Sequence, residues 1–178
     1  MKKYLVLILS VLFVLSACTD DGGVEEAAEE STDVAGEETS TEVINMSLLS
    51  TPNSLDPHAA NDQPSYHVNV NIYERLVEFT PELNLEPGLA ESYEQIDDTT
   101  WEFIIREGVE FHDGEELNAE AVKVNLDRLR DEDVGSPVAF LFELIEEVEV
   151  VDDYVLHIET SSPFAALPSH LAHTAGSI

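Results

Sequence analysis

The sequence predicts a mixed fold, of the α/β or α+β class, for residues 43–178. The first observation is apolar alternation with a period of two, as at Trp101 and Phe103, in pairs of short segments that turn residues separate. The second is apolar spacing of four residues, as at Val122 and Leu126, after residues that cap helices. Strands and helices alternate without a strict βαβ rhythm, so the class is α+β or mixed α/β.

The first predicted elements are a strand and a long helix. Residues 43–50 predict the strand, and turn residues follow at 51–57. Pro64 suits the first position of a helix, with Asp62 available near its start. That helix would end at Pro81 and present one apolar face, made of Val68, Ile72 and Leu76.

Two hairpins and three further helical segments are predicted in the rest of the chain. Gly108 and Gly114 permit tight turns on either side of a short predicted strand. In order, the predicted elements are a hairpin of strands 92–96 and 99–106 with a turn at Asp97-Asp98, a short strand at 109–111, a helix that starts after the N-cap Asn118 and ends near Arg130, a short helix after Pro137, a hairpin at 148–158 with a turn at Asp152-Asp153, and a helical piece at 164–171.

Residues 1–17 have the composition of a secretory signal peptide. Two lysines lie near its start, an apolar run occupies residues 5–15, and Ser16 and Ala17 supply the small residues of a cleavage site. The apolar run is shorter than the ~20 residues that a membrane-spanning helix needs. We therefore expect this segment to be removed from the mature protein.

Cys18 is the only cysteine of the sequence, so no intrachain disulfide can form. The small residues directly before it resemble a bacterial lipobox, and this resemblance implies cleavage before Cys18 and attachment of diacylglycerol to its sulfur. A lone cysteine in a secreted chain calls for such an explanation, and an ordinary signal peptide with a chance cysteine is the alternative. Two acyl chains hold a protein stably on a membrane. The expected location is the outer face of the cytoplasmic membrane, in the cell envelope or periplasmic space.

Residues 18–42 predict a disordered acidic tether after the lipidated cysteine. Residues 19–42 contain ten acidic residues, no basic residue and no aromatic residue, so this stretch cannot bury enough apolar surface to fold. The whole sequence has a formal net charge of −31, which argues against nucleic-acid binding. Such an acidic chain suggests an outward-facing protein of a salt-loving or alkali-loving bacterium, and we expect a Gram-positive host.

Four blocks of the sequence resemble the signature of one protein family. They are Ser54-Leu55-Asp56-Pro57, NIYERLV at residues 71–77, LAESYE at 89–94, and DTTWEFIIREGVEFHDGEELNAEAV at 98–122. In this order they resemble the extracellular solute-binding proteins of the peptide/nickel ABC importer family, known as family 5. The resemblance covers the chain from about residue 43 to its end.

The resemblance implies a type II periplasmic-binding-protein-like fold with two lobes that close on a ligand. Residues 43–178 would be the N-terminal portion of that domain, with its small extra subdomain, and we expect the chain to be a fragment. The implied function is capture of peptides for an ABC permease and its ATPases, without catalysis and without a cofactor. The implied partners are a small peptide and the permease subunits, with the binding protein itself a monomer.

Five residues are candidate ligand contacts through this resemblance. Asn61, Asp62 and Gln63 occupy a short loop that touches bound peptide in oligopeptide-binding members, and an exposed loop without a ligand is the alternative. Phe140 resembles an aromatic position that packs on ligand, and a role in the core is the alternative. His173 precedes a segment that returns to the cleft in relatives, and the alternative is a solvent-exposed histidine.

Other functions have weaker support in the sequence. His170 and His173 could share a helix face, but two ligands are too few for a closed metal site, and we expect none. Within the family, the alternative is a nickel-chelate or glutathione binder. Outside it, the alternatives are an acidic extracellular hydrolase and a surface lipoprotein that needs no importer.

Overall fold

The centre of the fold is a four-stranded antiparallel sheet with the strand order β3-β4-β6-β5. The computed structural model describes residues 43–178, so the predicted signal peptide (1–17), Cys18 and the tether (18–42) lie outside the described residues. In chain order the elements are α1 (Gln63–Asn69), β1 (Val77–Phe79), β2 (Leu85–Pro87), β3 (Ala90–Gln95), β4 (Thr100–Ile105), α2 (Ala119–Arg130), a 3-10 helix (Ala139–Phe142), β5 (Ile145–Asp152), β6 (Val155–Thr160), α3 (Leu167–Leu171) and a second 3-10 helix (Thr174–Gly176).

The two hairpins of the sheet confirm the sequence prediction. β3 pairs with β4 and β5 pairs with β6, each in antiparallel register. The first turn is stabilised by the Asp97 side chain, whose Oδ1 accepts hydrogen bonds from the backbone N–H groups of Thr99 and Thr100, both at 2.8 Å. Phe103 and Ile105 are completely buried on one face of β4, as period-two alternation requires.

Helix α2 packs its apolar face against this sheet. Its first turn is capped as predicted, because the Asn118 side chain accepts a hydrogen bond from the backbone N–H of Ala121 at 2.9 Å. The buried positions recur at intervals of three and four residues, which places them on one side of the helix; they are Ala119, Val122, Leu126 and Leu129. These side chains and the inner face of the sheet form a single hydrophobic core.

The predicted long helix after Pro64 is wrong in its second half. Helix α1 ends at Asn69, and residues 77–79 form strand β1, which pairs with β2. The turn between these strands is held by the Thr80 side chain, whose Oγ1 accepts hydrogen bonds from the backbone of Glu82 and Asn84. The backbone groups of residues 77–79 therefore form hydrogen bonds across the hairpin to β2, where the sequence pattern had predicted a helix.

The predictions of strands at 43–50 and 109–111 are also wrong, because neither range forms a strand in the structure. A strand needs a hydrogen-bonded neighbour, and no strand within residues 43–178 pairs with residues 43–50, whose Leu49 is fully exposed. Residues 109–111 contribute only an isolated bridge between Glu110 and Glu116. The helical prediction at 164–171 is confirmed only for the five residues of α3.

The last residues of the chain return to the segment that follows α1. Ser177 forms a bridge with Arg75, and the backbone N–H of Ile178 donates to the carbonyl of Glu74 at 2.9 Å. A Cβ atom on Gly176 would lie 2.7 Å from the carbonyl oxygen of Leu171, so this return path needs glycine. As a result, residues 173–175 lie beside α1. Within residues 43–178, no helix has the length and apolar character that a membrane span requires.

Candidate ligand-binding site

The N-terminus of α1 is fixed by one carboxylate. Asp62 is the N-cap, and its Oδ1 accepts a hydrogen bond from the backbone N–H of Ser65 at 3.1 Å. Its Oδ2 accepts from the Ser65 hydroxyl and from the Asn53 side chain, both at 2.9 Å. These donors, first of all the backbone N–H of Ser65, lower the pKa of Asp62, so that it carries its negative charge at neutral pH.

Ser65 also ties the preceding loop to this helix. Its side chain is almost completely buried, and its Oγ accepts hydrogen bonds from the backbone N–H groups of Asn53 and Ser54, at 2.9 and 3.2 Å. The Ser54 hydroxyl in turn accepts from the backbone N–H of Asp56 at 3.0 Å. These hydrogen bonds fix the backbone of residues 53–56 against the start of α1.

The candidate site is a cavity of about 140 Å³ at this end of α1. Its lining brings together Asn61, Asp62, Gln63 and His173, which are four of the five residues that the sequence indicated as ligand contacts. The other lining residues are Ala60, Ser65, Tyr66, Asn69, Thr174 and Ala175. Because the end of the chain returns to α1, His173 lines the same cavity as residues 61–63, which lie more than a hundred positions earlier in the sequence.

His173 faces this cavity as a neutral ring. Its Nδ1 accepts a hydrogen bond from the backbone N–H of Ala175 at 3.1 Å, so the proton of the neutral ring is on Nε2. Partial burial of the ring, and then electrostatic interaction with His170 and Arg75, lower the pKa of His173. The residue is also exposed at the surface, so its Nε2–H can be offered to a ligand.

Two buried polar atoms beside the cavity have no hydrogen-bond partner among the described residues. They are Oδ1 of Asn69 and Oγ1 of Thr174, whose residues are 1% and 8% exposed. A buried polar group without a partner costs about 1–3 kcal/mol, so each of these atoms needs a partner, which ordered water or a bound ligand can supply. The sequence analysis missed both residues, although Asn69 stands three residues after Tyr66 and therefore on the same helix face.

Phe140 lies elsewhere. It belongs to the 3-10 helix Ala139–Phe142 and lines a separate cavity with Arg130 and Ile145. Its side chain is 60% exposed, so the alternative of a core role is wrong. The structure does not bring it to the cavity at α1, and its contact with ligand stays a prediction.

Two of the larger cavities in the described region are mainly apolar. One, of about 340 Å³, is lined by residues such as Leu89 and Phe111. The other, of about 640 Å³, lies between α1 and residues 46–50, which pair with no strand of the described region. Neither is lined by a residue with a buried polar atom that lacks a partner within residues 43–178, and this difference separates both from the cavity at α1.

The arrangement at α1 is suited to hydrogen bonding. The lining offers side-chain amides, the hydroxyls of Tyr66 and Thr174 and the His173 imidazole, while the Asp62 carboxylate and the Ser65 hydroxyl are occupied by their mutual hydrogen bonds. In the part of the chain that the structure describes, no group of three or more His, Cys, Asp or Glu side chains could hold a metal ion. Complete ligand pockets usually have about 300–1,000 Å³, so this cavity can hold one end of a ligand.

This chain is similar in sequence and in fold to known proteins. The family model of bacterial extracellular solute-binding proteins, family 5 (middle), matches residues 84–178. A glutathione-binding protein, GsiB, of Pectobacterium atrosepticum is 42% identical over 131 residues, which are 73% of this chain and 26% of that protein. OppA of Haemophilus influenzae, solved in complex with RPPGFSPFR, has a TM-score of 0.67 and 27% identity, over 71% of this chain and 28% of OppA.

A third similar protein is the murein tripeptide binding protein MppA of Escherichia coli. It has a TM-score of 0.67 and 25% identity, over 71% of this chain and 28% of MppA. The chain thus spans about a quarter of the length of these relatives, whose fold has two lobes. Members of the matched family are binding proteins of transport systems and function in the periplasm or outside the membrane. With more than half of its residues matched, this chain belongs to the bacterial extracellular solute-binding proteins of family 5.

Proposed function

We propose that this chain is the N-terminal part of a substrate-binding lipoprotein that captures short peptides for an ABC importer. Residues 43–178 would form part of one lobe, and a second lobe would complete the ligand pocket. Residues 1–17 would be the signal peptide, Cys18 the lipid anchor, and residues 18–42 the tether to the outer face of the membrane. This organisation suits a Gram-positive host.

One observation carries the ligand class. The cavity at α1 combines exposed polar side chains with two buried polar atoms, in Asn69 and Thr174, that have no hydrogen-bond partner within residues 43–178. A peptide backbone offers both N–H and C=O groups in regular order, so it can supply such partners without demanding one particular side chain. Asn61, Gln63 and His173 would then contact one end of the peptide.

Glutathione is a second candidate ligand. The support is the 42% identity to a protein named for glutathione binding. Glutathione is a short peptide with two free carboxylates, so the same amide and imidazole donors could hold it. No Lys or Arg of residues 43–178 lines the cavity at α1, however, so positive groups for the two carboxylates would have to come from outside this cavity.

A thermal-shift screen of the complete gene product that contains this chain tests the proposal. A ligand that binds only the folded protein stabilises it by RT ln(1 + [L]/Kd), which is about 2.7 kcal/mol at one hundred times Kd. We expect stabilisation by members of a di- to pentapeptide library or by glutathione, with free amino acids as the matched control. If no peptide and no glutathione raises the melting temperature, the proposed ligand class is wrong.

A further inference from the structure

Three residues join the loop before α1 to the end of α2. The Arg128 guanidinium donates to both carboxylate oxygens of Asp56, from Nη1 at 3.2 Å and from Nη2 at 2.5 Å. The same Nη1 lies 2.6 Å from Nδ1 of His58. The partners are 70 and 72 positions apart in sequence, so these contacts connect separate parts of the fold.

The protonation state of His58 follows from this geometry. A guanidinium can only donate hydrogen bonds, so Nδ1 of His58 must accept and the ring is neutral, with its proton on Nε2. The side chain is 1% exposed, and Nε2 has no partner among the described residues. Protonation of Nδ1 would replace this acceptor with a donor and place a second positive charge beside Arg128.

The contacts at Arg128 continue to the candidate site through hydrogen bonds. The Asp56 carboxylate accepts the backbone N–H of His58 at 2.9 Å, and the backbone N–H of Asp56 donates to the Ser54 hydroxyl at 3.0 Å. The backbone of Ser54 reaches the Ser65 hydroxyl, which donates to the N-cap Asp62. Asn61 is only three residues beyond His58, so its position depends on the same loop.

We propose that Asp56, His58 and Arg128 are positioning residues that hold the loop of Asn61 and Asp62 in place while His58 is neutral, and that acidification releases this loop. Its consequence for binding rests on the proposed function: a released loop would hold peptide less tightly. The release itself involves residues 53–62 and needs no ligand.

The direction of the pH effect has a physical cause. Burial, and next the positive charge of Arg128, lower the pKa of His58, while Asp56 opposes them. Arg128 from α2 and Asp56 from its own loop are the charged groups that act on the ring. Hydrogen bonding to Arg128 also lowers the pKa of Asp56, so this carboxylate stays ionised when His58 titrates. The released His58 has its ordinary pKa of about 6.5, so the contact is complete above that pH and weakens as the pH falls.

Amide hydrogen exchange of the complete, ligand-free protein tests the release directly. After correction for the intrinsic exchange rate, we expect protection of residues 53–62 to fall about three- to tenfold between pH 7.5 and pH 5. In His58→Asn, the side-chain oxygen can accept from Arg128 without titrating, so protection should stay constant. His67→Asn, at an exposed histidine of α1, should behave as the wild type does. An equal fall in His58→Asn and the wild type would overturn the proposal, as would no fall in the wild type.

A second pair of variants removes a positive charge from α2. Arg128→Gln should lower protection of residues 53–62 at pH 7.5 about three- to tenfold, whereas Lys123→Gln should not. Lys123 donates to Asp127 and to the carbonyl of Val148, so it contacts α2 and the sheet but not the loop. Equal protection in both variants would contradict the proposal. Should Arg128→Gln not fold, the comparison of His58→Asn with the wild type still decides.

Calorimetric titration with glutathione and mixed dipeptides separates this proposal from the proposed function. We expect the wild type to bind a probe more weakly at pH 5.5 than at pH 7.5, and His58→Asn to show a smaller difference. If hydrogen exchange gives the expected result but neither glutathione nor the dipeptides bind at pH 7.5, the release of the loop is supported and the proposed function is contradicted. Binding that weakens equally in both proteins would overturn the role of His58.

Discussion

The sheet and the candidate site are stabilised by different kinds of contact. The sheet with α2 has continuous strand pairing and a buried apolar core. The cavity at α1 depends on single polar contacts across long sequence separations, such as Arg128 to Asp56 and Asn125 to the carbonyl of Ser177. Global stability and site geometry should therefore respond to different substitutions.

The largest expected effect is in the sheet. Phe103→Ala removes a completely buried side chain and should lower the free energy of unfolding by about 3–5 kcal/mol. Phe140→Ala removes the same side chain from a position that is 60% exposed, and it should cost less than about 1 kcal/mol. Urea denaturation measures both values. Similar losses in the two variants would contradict the division between a buried sheet and an exposed 3-10 helix.

The two N-caps provide a closer comparison. Asn118→Ala should lower the free energy of unfolding by about 1 kcal/mol, because α2 packs on the core. Asp62→Ala should instead increase exchange of residues 53–69 and change the urea midpoint less than Asn118→Ala does. Exchange mapped by residue distinguishes local from global loss. If Asp62→Ala shifts the midpoint as much as Asn118→Ala, the site is part of the same cooperative unit as the sheet.

Two histidines, the buried His58 and the surface residue His173, make the free energy of unfolding depend on pH. Burial lowers the pKa of both His58 and His173, so the unfolded chain binds protons more readily than the folded one. Their contribution to stability is complete above about pH 6.5 and is lost as the pH falls below that value. His58→Asn should therefore lose less stability than the wild type between pH 7.5 and pH 5.5 in urea titrations. A parallel pH dependence of the two proteins would contradict this assignment.

The smallest expected effect concerns salt. Four of the five Lys and Arg side chains in residues 43–178 form ion pairs, and many acidic residues remain without a basic partner there. Added salt shortens the screening length from about 10 Å at 0.1 M to about 3 Å at 1 M, which weakens repulsion between these acids. The melting temperature should therefore rise between 0.1 and 1 M NaCl. A steady decrease would count against the proposed salt-loving or alkali-loving host.

Local signals were sufficient to predict most of the sheet. Asp97 and the alternation of β4 predicted one hairpin, and Asn118 predicted the start of α2, because the interactions that fix these elements lie within a few residues. Residues 77–79 were misjudged because their apolar spacing fits a helix while their hydrogen bonds go to β2. For residues 43–50, the pattern indicated a strand without indicating a partner.

The candidate site was predictable only in part. The resemblance to a family indicated Asn61, Asp62, Gln63 and His173, and the structure places these four around one cavity. Asn69 and Thr174 were missed because their significance depends on burial without a partner, and burial arises only when distant segments meet. The contact between His58 and Arg128, across 70 positions, gave no signal in the sequence for the same reason.

The central claim, that the cavity at α1 binds the end of a peptide, is tested most directly by calorimetric titration of the complete gene product. Asn69→Leu replaces a buried polar atom without a partner by an apolar side chain, so the protein should stay folded or become more stable. Its affinity for the best peptide or for glutathione should fall about tenfold, while Asn71→Leu, at an exposed position outside the cavity, should bind as the wild type does. Equal affinity in all three proteins would contradict the claim.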